Sequence, residues 1–248
     1  MDAGLRQVVL SPVAVAPGRK CKLMFGGRVD GDFAVEQNDR AHILTLQSNG
    51  RLAAAYEILF YDAAGEPLRR SGFGGSGFLL TGDWHDYINV FDVPPDAVTL
   101  SVRFEPRGRG VEIGSIRLGE ENESGAINSN PDFRYGELNY CGWRPARDGR
   151  LYLRPDGQTV LNAGYGGMSP MFILKETSVY RMEAKGLGGR MSLTYYDDEG
   201  NRVASRHLLR PTPEGASVDL QPPEGTAAGR VVMYGVVGLE SFRVTIAR

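Results

Sequence analysis

The chain has 248 residues, of which 42% are hydrophobic and 23% are charged, and its formal net charge is −2. This length suits two domains of ordinary size, and the composition is that of a folded globular protein. The near-neutral charge excludes a global attraction to nucleic acid or to an anionic membrane surface. No run of the sequence reaches the roughly 20 apolar residues that span a bilayer, so we expect no membrane span.

The first half of the chain is patterned as a series of short strands. Apolar residues alternate with others from Tyr56 to Phe60 and from Val98 to Phe104. This period of two is typical of a strand with one side in a core. Turn-forming pairs such as Pro17-Gly18 separate the runs, and no segment carries the apolar stripe of a helix. The pattern predicts an all-β protein with antiparallel sheets.

A repeat links the two halves of the chain. Ile58–Gly65 reads ILFYDAAG and Leu193–Gly200 reads LTYYDDEG. In both, an apolar strand ends in Tyr-Asp and is followed by turn residues and a Gly, which suits a hairpin. Two further matches occur in the same order along the chain, namely Val93–Pro95 with Leu220–Pro223 and Ile113–Leu118 with Leu239–Val244. The repeat predicts two related modules in tandem.

The boundary between the modules is predicted at the acidic segment Gly119–Ala126, which has no large apolar residue. We therefore expect antiparallel β-sandwich domains over residues 1–120 and 126–248, the first with its opening strand missing or degenerate. Each domain has one cysteine, Cys21 or Cys141. Two buried free thiols are the simpler interpretation, because a free cysteine packs as a small hydrophobe. A bridge between the domains is the alternative.

Several motifs together resemble a known family, namely Val15–Lys20, Trp84–Tyr87, Phe91–Pro94, Asn130–Phe133, Gly142-Trp143, Val179–Met182 and Tyr196–Gly200. Their order is similar to that of the jelly-roll carbohydrate-binding modules in the group of families four, nine and twenty-two. The resemblance implies a non-catalytic pair that binds polysaccharide or oligosaccharide. It also implies an extracellular or periplasmic protein in which the pair is covalently linked to a glycan-degrading catalytic domain.

No cofactor is expected. The family pattern places after Phe133 a Glu that helps to hold a structural calcium, whereas this chain has Arg134. Asn128, Asn130 and Asp132 alternate like the start of a calcium loop. Phe133 and Asn139 stand where an EF-hand requires Gly and Glu, so the sequence leaves the metal content unknown.

Aromatic residues are the natural ligand-binding candidates, because a flat ring can cover the apolar C–H side of a sugar. Trp84 and Trp143 are candidates for which burial in the core is the alternative. Tyr61 and Tyr196 are out of phase with the apolar positions of their strands and are predicted on the opposite side of the sheet. The remaining aromatic candidates, spread through the early second module, are Tyr140, Tyr152 and Tyr165.

A basic candidate, Arg103, is out of phase with Val102 and Phe104. Beside aromatic residues it could hold uronate or sulfate groups in a bidentate manner, and an ordinary solvated sheet is the alternative.

No residues are predicted to be catalytic. The three histidines are far apart in sequence and show no zinc-ligand spacing, and acidic pairs such as Asp197-Asp198 fall in predicted turns. Two alternatives to sugar binding stay open. One is a structural or adhesion pair that binds no sugar. The other is a β-sandwich polysaccharide lyase, in which His42 would act with a Tyr and an Arg.

Overall fold

The computed structural model describes residues 8–29, 54–68, 76–78, 83–106, 111–121, 125–146 and 149–247. All the helix or strand elements in these residues are β-strands, so the chain is all-β, as predicted. It divides into two compact units, Met1–Glu121 and Asn122–Arg248, which we call unit 1 and unit 2. The described residues contain no helix long and apolar enough to cross a membrane.

The described strands of unit 1 are β1 Val8–Val9, β2 Val13–Ala14, β3 Lys20–Val29, β4 Ala54–Tyr61, β5 Ser76–Phe78, β6 His85–Asp92, β7 Thr99–Pro106 and β8 Val111–Glu120. They form two antiparallel sheets. One has the order β1-β7-β4-β5, with β2 also paired to β7, and the other has the order β6-β3-β8.

The core of unit 1 is built from aromatic side chains of both sheets. Phe25 of β3 lies 5.6 Å from Tyr56 of β4 and 5.1 Å from Phe104 of β7, between ring centroids. Phe60 of β4 lies 6.0 Å from Phe91 of β6. Because these pairs join the inner sides of the two sheets, unit 1 is a sandwich. Each such pair contributes about 0.5–1.5 kcal/mol beyond its buried area.

Unit 2 contains β9 to β17, and all its strand pairs are antiparallel. The strands are β9 Arg150–Leu153, β10 Thr159–Asn162, β11 Gly164–Met168, β12 Phe172–Ile173, β13 Tyr180–Leu187, β14 Arg190–Tyr196, β15 Arg202–Leu209, β16 Ala216–Leu220 and β17 Ala228–Ile246.

The strands of unit 2 form one connected nine-stranded sheet, in which the long strand β17 changes partners along its length. Its first part, residues 228–234, pairs with β14, β11 and β12, and β15 pairs with the other edge of β14. Its last part, residues 237–246, pairs with β13, and β16 pairs with β13 in turn. The two parts meet at Gly235 and Gly238, where φ is +66° and +64°. This left-handed backbone suits glycine, and it separates the part of β17 that pairs with β14 from the part that pairs with β13.

The turn between β13 and β14 approaches β17 closely at Gly189. A Cβ at this position would lie 2.4 Å from the carbonyl oxygen of Tyr234, and φ is +69°. Only glycine fits, because any side chain would both strain the backbone and clash with the neighbouring strand.

The two Tyr-Asp hairpins of the sequence repeat form the same backbone hydrogen bonds. Asp62 N–H donates to the Glu66 carbonyl at 3.0 Å, and Asp197 N–H donates to the Asn201 carbonyl at 3.0 Å. The carbonyls of the preceding residues, Tyr61 and Tyr196, accept from Val98 at 2.9 Å and Ala227 at 2.8 Å. Tyr61 accordingly pairs with Thr99, and Tyr196 with Ala228.

These shared contacts give a residue-by-residue correspondence between two strand pairs. Strands β4 and β7 of unit 1 correspond to strands β14 and β17 of unit 2. The later Pro-Pro turns agree with it. Ala97 N–H donates to the Pro94 carbonyl at 3.1 Å, and Thr226 N–H donates to the Pro223 carbonyl at 3.3 Å.

Candidate functional site

The sheet of unit 2 gathers tyrosines and arginines on the side away from the core. On β14 the side chains of Met191, Leu193 and Tyr195 are buried, so the alternate positions point outward. Residues paired across strands share a side, and Arg190 pairs with Tyr234, which pairs in turn with Tyr165. Thr194 pairs with Arg230, and Arg144 bridges to Met168. We call this surface the tyrosine–arginine face and define it by Arg144, Tyr165, Arg190, Tyr196, Arg230 and Tyr234.

Tyr165 is the most exposed aromatic residue of the face, at 73%. The pairing of β11 with β17 shifts register on both sides of Tyr165, and a bulge of this kind re-aims a side chain. The ring meets Tyr234 edge to face, with centroids 5.4 Å apart. The guanidinium carbon of Arg190 lies 5.2 Å from the Tyr234 ring centroid. Tyr234 is thus held from two sides, and Tyr165 has most of its surface free.

Arg230 is the cation at the centre of the face and is only partly exposed. Its Nε is buried, with no hydrogen-bond acceptor among the described residues. Burial lowers the pKa of the guanidinium, the positive charge of Arg144 lowers it further, and Tyr196 acts in the opposite direction. The group nevertheless stays charged at neutral pH, because the ordinary arginine pKa is above 12.

Two hydroxyl groups lie beside Arg230 on the adjacent strands β14 and β15. Ser205 Oγ donates to Thr194 Oγ1 at 2.9 Å, which places both on the outer side of the sheet. Thr194 is directly opposite Arg230 in the strand register. The face therefore combines one free aromatic ring, a cationic centre and hydroxyls able to exchange hydrogen bonds with a polar ligand.

Two of the predicted ligand-binding residues, Tyr165 and Tyr196, lie on this face. Tyr196 is half-buried and points opposite to the buried Tyr195, as the period of two predicts. Its counterpart Tyr61 in unit 1 is likewise half-buried, opposite to the buried Phe60.

Trp143 and Tyr140 are not available to a ligand, so their assignment as binding residues is wrong. Trp143 is completely buried, donates from Nε1 to the Ser129 carbonyl at 3.2 Å, and lies 5.0 Å from Phe133 between ring centroids. Tyr140 is also buried, and its hydroxyl accepts a hydrogen bond from Leu151 N–H at 3.3 Å. Burial raises the pKa of Tyr140 to about 12. Both side chains anchor the irregular segment 125–146 to the core.

Trp84 is not buried in the core, since the residue is 49% exposed. The alternative interpretation of this tryptophan as a core residue is therefore wrong. The Trp84 ring lies over two glycines of neighbouring strands. A Cβ on Gly26 would be 3.4 Å from the ring and one on Gly114 3.6 Å. Arg28, whose guanidinium carbon is 5.3 Å from the ring centroid, also binds Glu112 at 2.9 and 3.1 Å.

Arg103 and Tyr152 lie away from the tyrosine–arginine face. Arg103 is in unit 1 and forms an ion pair with Glu57, directly opposite in the register, so its charge is already compensated. Tyr152 is on β9, which joins the last part of β17 through β10. Its hydroxyl lies 3.4 Å from the position that a Cβ of Gly238 would take.

The other predictions have mixed outcomes. Cys21 and Cys141 are buried free thiols, which confirms the simpler interpretation. Asn128 uses its side chain within the fold, since it donates to the Phe242 carbonyl at 2.6 Å and accepts from Val244 N–H at 2.8 Å. The described residues contain no cluster of three His, Cys, Asp or Glu side chains suited to a metal ion. His42 lies outside the described residues.

Four residues of the face were not predicted, namely Arg144, Arg190, Arg230 and Tyr234. The alternation on β17, in which Val231 and Met233 are buried, gives Arg230 and Tyr234 the outward positions. That alternation is visible in the sequence and could have identified both residues. Nothing in the sequence indicates that Arg144 comes next to Met168, because the contact is an isolated bridge from an irregular segment.

No protein-family model matches the chain, and a search of curated proteins gave no match. Similar solved structures include the N-terminal tandem CBM22 domain of Paenibacillus barcinonensis Xyn10C, at 10% identity and a TM-score of 0.37, covering 95% of this chain and 82% of that one. An allantoicase matches at 11% identity and a TM-score of 0.31, covering 92% and 74%. Tandem CBM51 modules of a Streptococcus pneumoniae family 98 glycoside hydrolase match at 10% identity and a TM-score of 0.22, covering 95% and 80%. With TM-scores this low, none of these similarities bears on function.

Proposed function

We propose that the chain is a non-catalytic carbohydrate-binding pair in which unit 2 contacts a glycan through the tyrosine–arginine face. The observation that supports this most is Tyr165, an aromatic ring 73% exposed on a sheet and held at its edge by Tyr234. An exposed ring costs free energy in water, and a sugar presents an apolar C–H side that such a ring covers well. The neighbouring hydroxyls and arginines supply hydrogen bonds for sugar hydroxyls.

The described residues of β4 and β7 in unit 1 do not form the same surface. The residues that correspond to Ser192 and Val232 of unit 2 are Glu57 and Arg103, which neutralise each other. The residue that corresponds to Arg230 is Ser101, which is buried and donates to the Leu10 carbonyl at 2.7 Å. We therefore assign binding at this position of the fold to unit 2.

Affinity for a single site is expected to be weak. The face is a sheet surface, a ligand on it keeps one side in water, and its hydroxyls exchange bonds to water for bonds to protein.

Affinity gel electrophoresis of the full chain against a panel of soluble neutral and acidic polysaccharides tests the proposal. We expect at least one polysaccharide to retard the wild-type protein. The Tyr165→Ala variant should bind it about tenfold more weakly, which corresponds to about 1.4 kcal/mol. Leu153→Ala is the matched control, since it removes a side chain 58% exposed from β9 of the same unit, away from the face.

Two results would contradict the proposal. Retention that is lost equally in Tyr165→Ala and Leu153→Ala would show that the effect is not local to the face. A wild-type protein that no polysaccharide retards would favour a structural or adhesion pair.

The motif resemblance supports a wider proposal, that the pair works outside the cytoplasm and is attached to a glycan-degrading catalytic domain. Detection of the native protein in the culture medium or periplasm, on a chain longer than 248 residues, is the expected result. A native protein found only in the cytoplasm would contradict it.

A further inference from the structure

None of the three arginines of the tyrosine–arginine face has an anionic partner among the described residues, and Arg190 lies over the ring of Tyr234. Arg144 and Arg230 form no ion pair and no side-chain hydrogen bond with any residue that the structure describes. Three other arginines of unit 2 have carboxylate partners. Arg154 contacts Glu240 at 2.7 Å, Arg181 contacts Asp219 at 2.8 Å, and a third pair joins Arg243 to Asp132 at 2.8 Å. Exposed arginines such as Arg202 also have no carboxylate partner among the described residues, but Arg144 and Arg230 differ from them in being partly buried.

The position of Arg230 makes the lack of an anionic partner destabilising for the free protein. The side chain is partly buried, its Nε has no acceptor among the described residues, and a second arginine is close enough to act on its charge. Placing like charges together in a partly desolvated site destabilises the free protein. An unsatisfied buried polar group in a folded protein requires an explanation, and an ion that binds there is one such explanation. An anion bound between the two arginines would relieve both the repulsion and the missing hydrogen bonds.

The surroundings indicate what carries the anion. Tyr165 and Tyr234 lie on the same side of the same sheet, and Arg230 is four residues from Tyr234 along β17. At about 3.3 Å per residue this separation is roughly 13 Å, which is longer than one sugar ring. Resting on the proposed function, we infer that unit 2 recognises an acidic polysaccharide, with Tyr165 stacking on one sugar and the Arg144–Arg230 pair holding the uronate carboxylate of another sugar in the same chain.

A carboxylate fits this pair better than a sulfate ester. A guanidinium and a carboxylate are both planar and form two parallel hydrogen bonds. A densely sulfated chain is best matched by a long array of exposed cations, whereas the face offers one partly buried pair flanked by an aromatic ring. Ser101 at the corresponding position of unit 1 has no charge, so no equivalent uronate site is expected at that position of unit 1.

The inference is tested by titrating the full chain with three uronate polymers, polygalacturonate, alginate and glucuronoxylan, and with the carboxyl-reduced form of each. Wild type should bind at least one acidic polymer about ten- to a hundredfold more tightly than its reduced form, the loss expected for a charge-assisted hydrogen-bonded pair. The Arg230→Gln variant should bind the acidic polymer more weakly than wild type by the same factor. Its affinity for the neutral, carboxyl-reduced polymer should change little. Arg181→Gln is the charge-matched control, because that arginine is paired with Asp219.

The outcomes separate this inference from the proposed function. Arg144→Gln provides the same test if Arg230→Gln does not fold. Binding that depends on Tyr165, with equal affinity for acidic and reduced polymers and no effect of either arginine variant, would overturn the uronate site and leave sugar binding standing. Arginine-dependent binding of dextran sulfate in preference to all three uronate polymers would also overturn it. A wild-type protein that binds none of the polymers would overturn both proposals.

Discussion

Replacing Trp143 by Phe tests whether this tryptophan is a core residue. The variant keeps an aromatic ring against Phe133 and Phe242, whose centroids lie 5.0 and 6.2 Å away. It loses the hydrogen bond from Nε1 to the Ser129 carbonyl. A buried carbonyl left without a donor costs about 1–3 kcal/mol, and the smaller ring leaves a cavity that adds about 1 kcal/mol. We expect unit 2 to lose about 2–4 kcal/mol of unfolding free energy.

Urea unfolding followed by far-UV circular dichroism measures this loss. Trp84→Phe is the control and should change stability by less than about 1 kcal/mol, since Trp84 is half-exposed and packs on glycines. Polysaccharide binding by folded Trp143→Phe should equal that of wild type. Unchanged stability together with lost binding would refute the core assignment and restore Trp143 as a ligand contact.

Three further predictions concern packing and titration. Gly189→Ala should cost at least 2 kcal/mol in urea unfolding, whereas Gly157→Ala, also at positive φ but with open space around it, should cost about 1 kcal/mol; equal costs would contradict the close approach. Acrylamide should quench part of the wild-type fluorescence and little of that of Trp84→Phe, and strong quenching of the variant would contradict the burial of Trp143. Burial raises the pKa of Cys21 to about 11 and those of Tyr87 and Tyr140 to about 12. The stability that these groups contribute is therefore present below pH 9 and should fall as the pH rises to about 12; a flat profile of unfolding free energy would contradict this.

The strands could be predicted because their side chains alternate. The Tyr-Asp hairpins were found in the sequence since an Asp that accepts backbone hydrogen bonds and a Gly at positive φ leave a distinctive pattern. The continuity of β17 was not predicted. Its apolar alternation is interrupted at Gly235 and Gly238, and the sequence repeat includes only its last part, Leu239–Val244. A strand whose partners change part-way along it looks like two separate elements in the sequence.

Burial was hardest to predict where the chain is irregular. Residues 125–146 contain no regular strand, and Asn130, Phe133 and Cys141 have positive φ, so no period shows which side chains face inward. Tyr140 is therefore predicted from the sequence as a ligand contact, and for Trp143 a ligand contact and burial in the core both stay open. The exposure of Trp84 depends on Gly26 and Gly114, which lie on different strands and leave a flat surface under the ring. Such pairings across strands are not visible in a linear sequence.

The candidate site was predicted in part for the same reason. The sequence gives Tyr196 as part of the repeat and Tyr165 as one of the tyrosines of the early second module. The arginines that accompany them come from β14, β17 and the segment before β9. Arg103 shows the converse, a predicted binding residue whose charge is already paired. Its outward position was predicted correctly, yet Glu57 faces it from 46 residues away and cancels its charge. Whether a charge is free depends on partners that only the fold brings together.

The most direct test of sugar binding by unit 2 is to map the ligand on the protein in solution. Amide chemical shifts of the ¹⁵N-labelled full chain would be recorded while an oligosaccharide from the best-binding polymer is added. The largest changes should cluster on β11, β14 and residues 228–234 of β17, around Tyr165 and Arg230, while β4 and β7 of unit 1 stay unchanged. Changes centred on unit 1, or spread evenly with none at Tyr165, would contradict the assignment of the tyrosine–arginine face as the glycan-binding site.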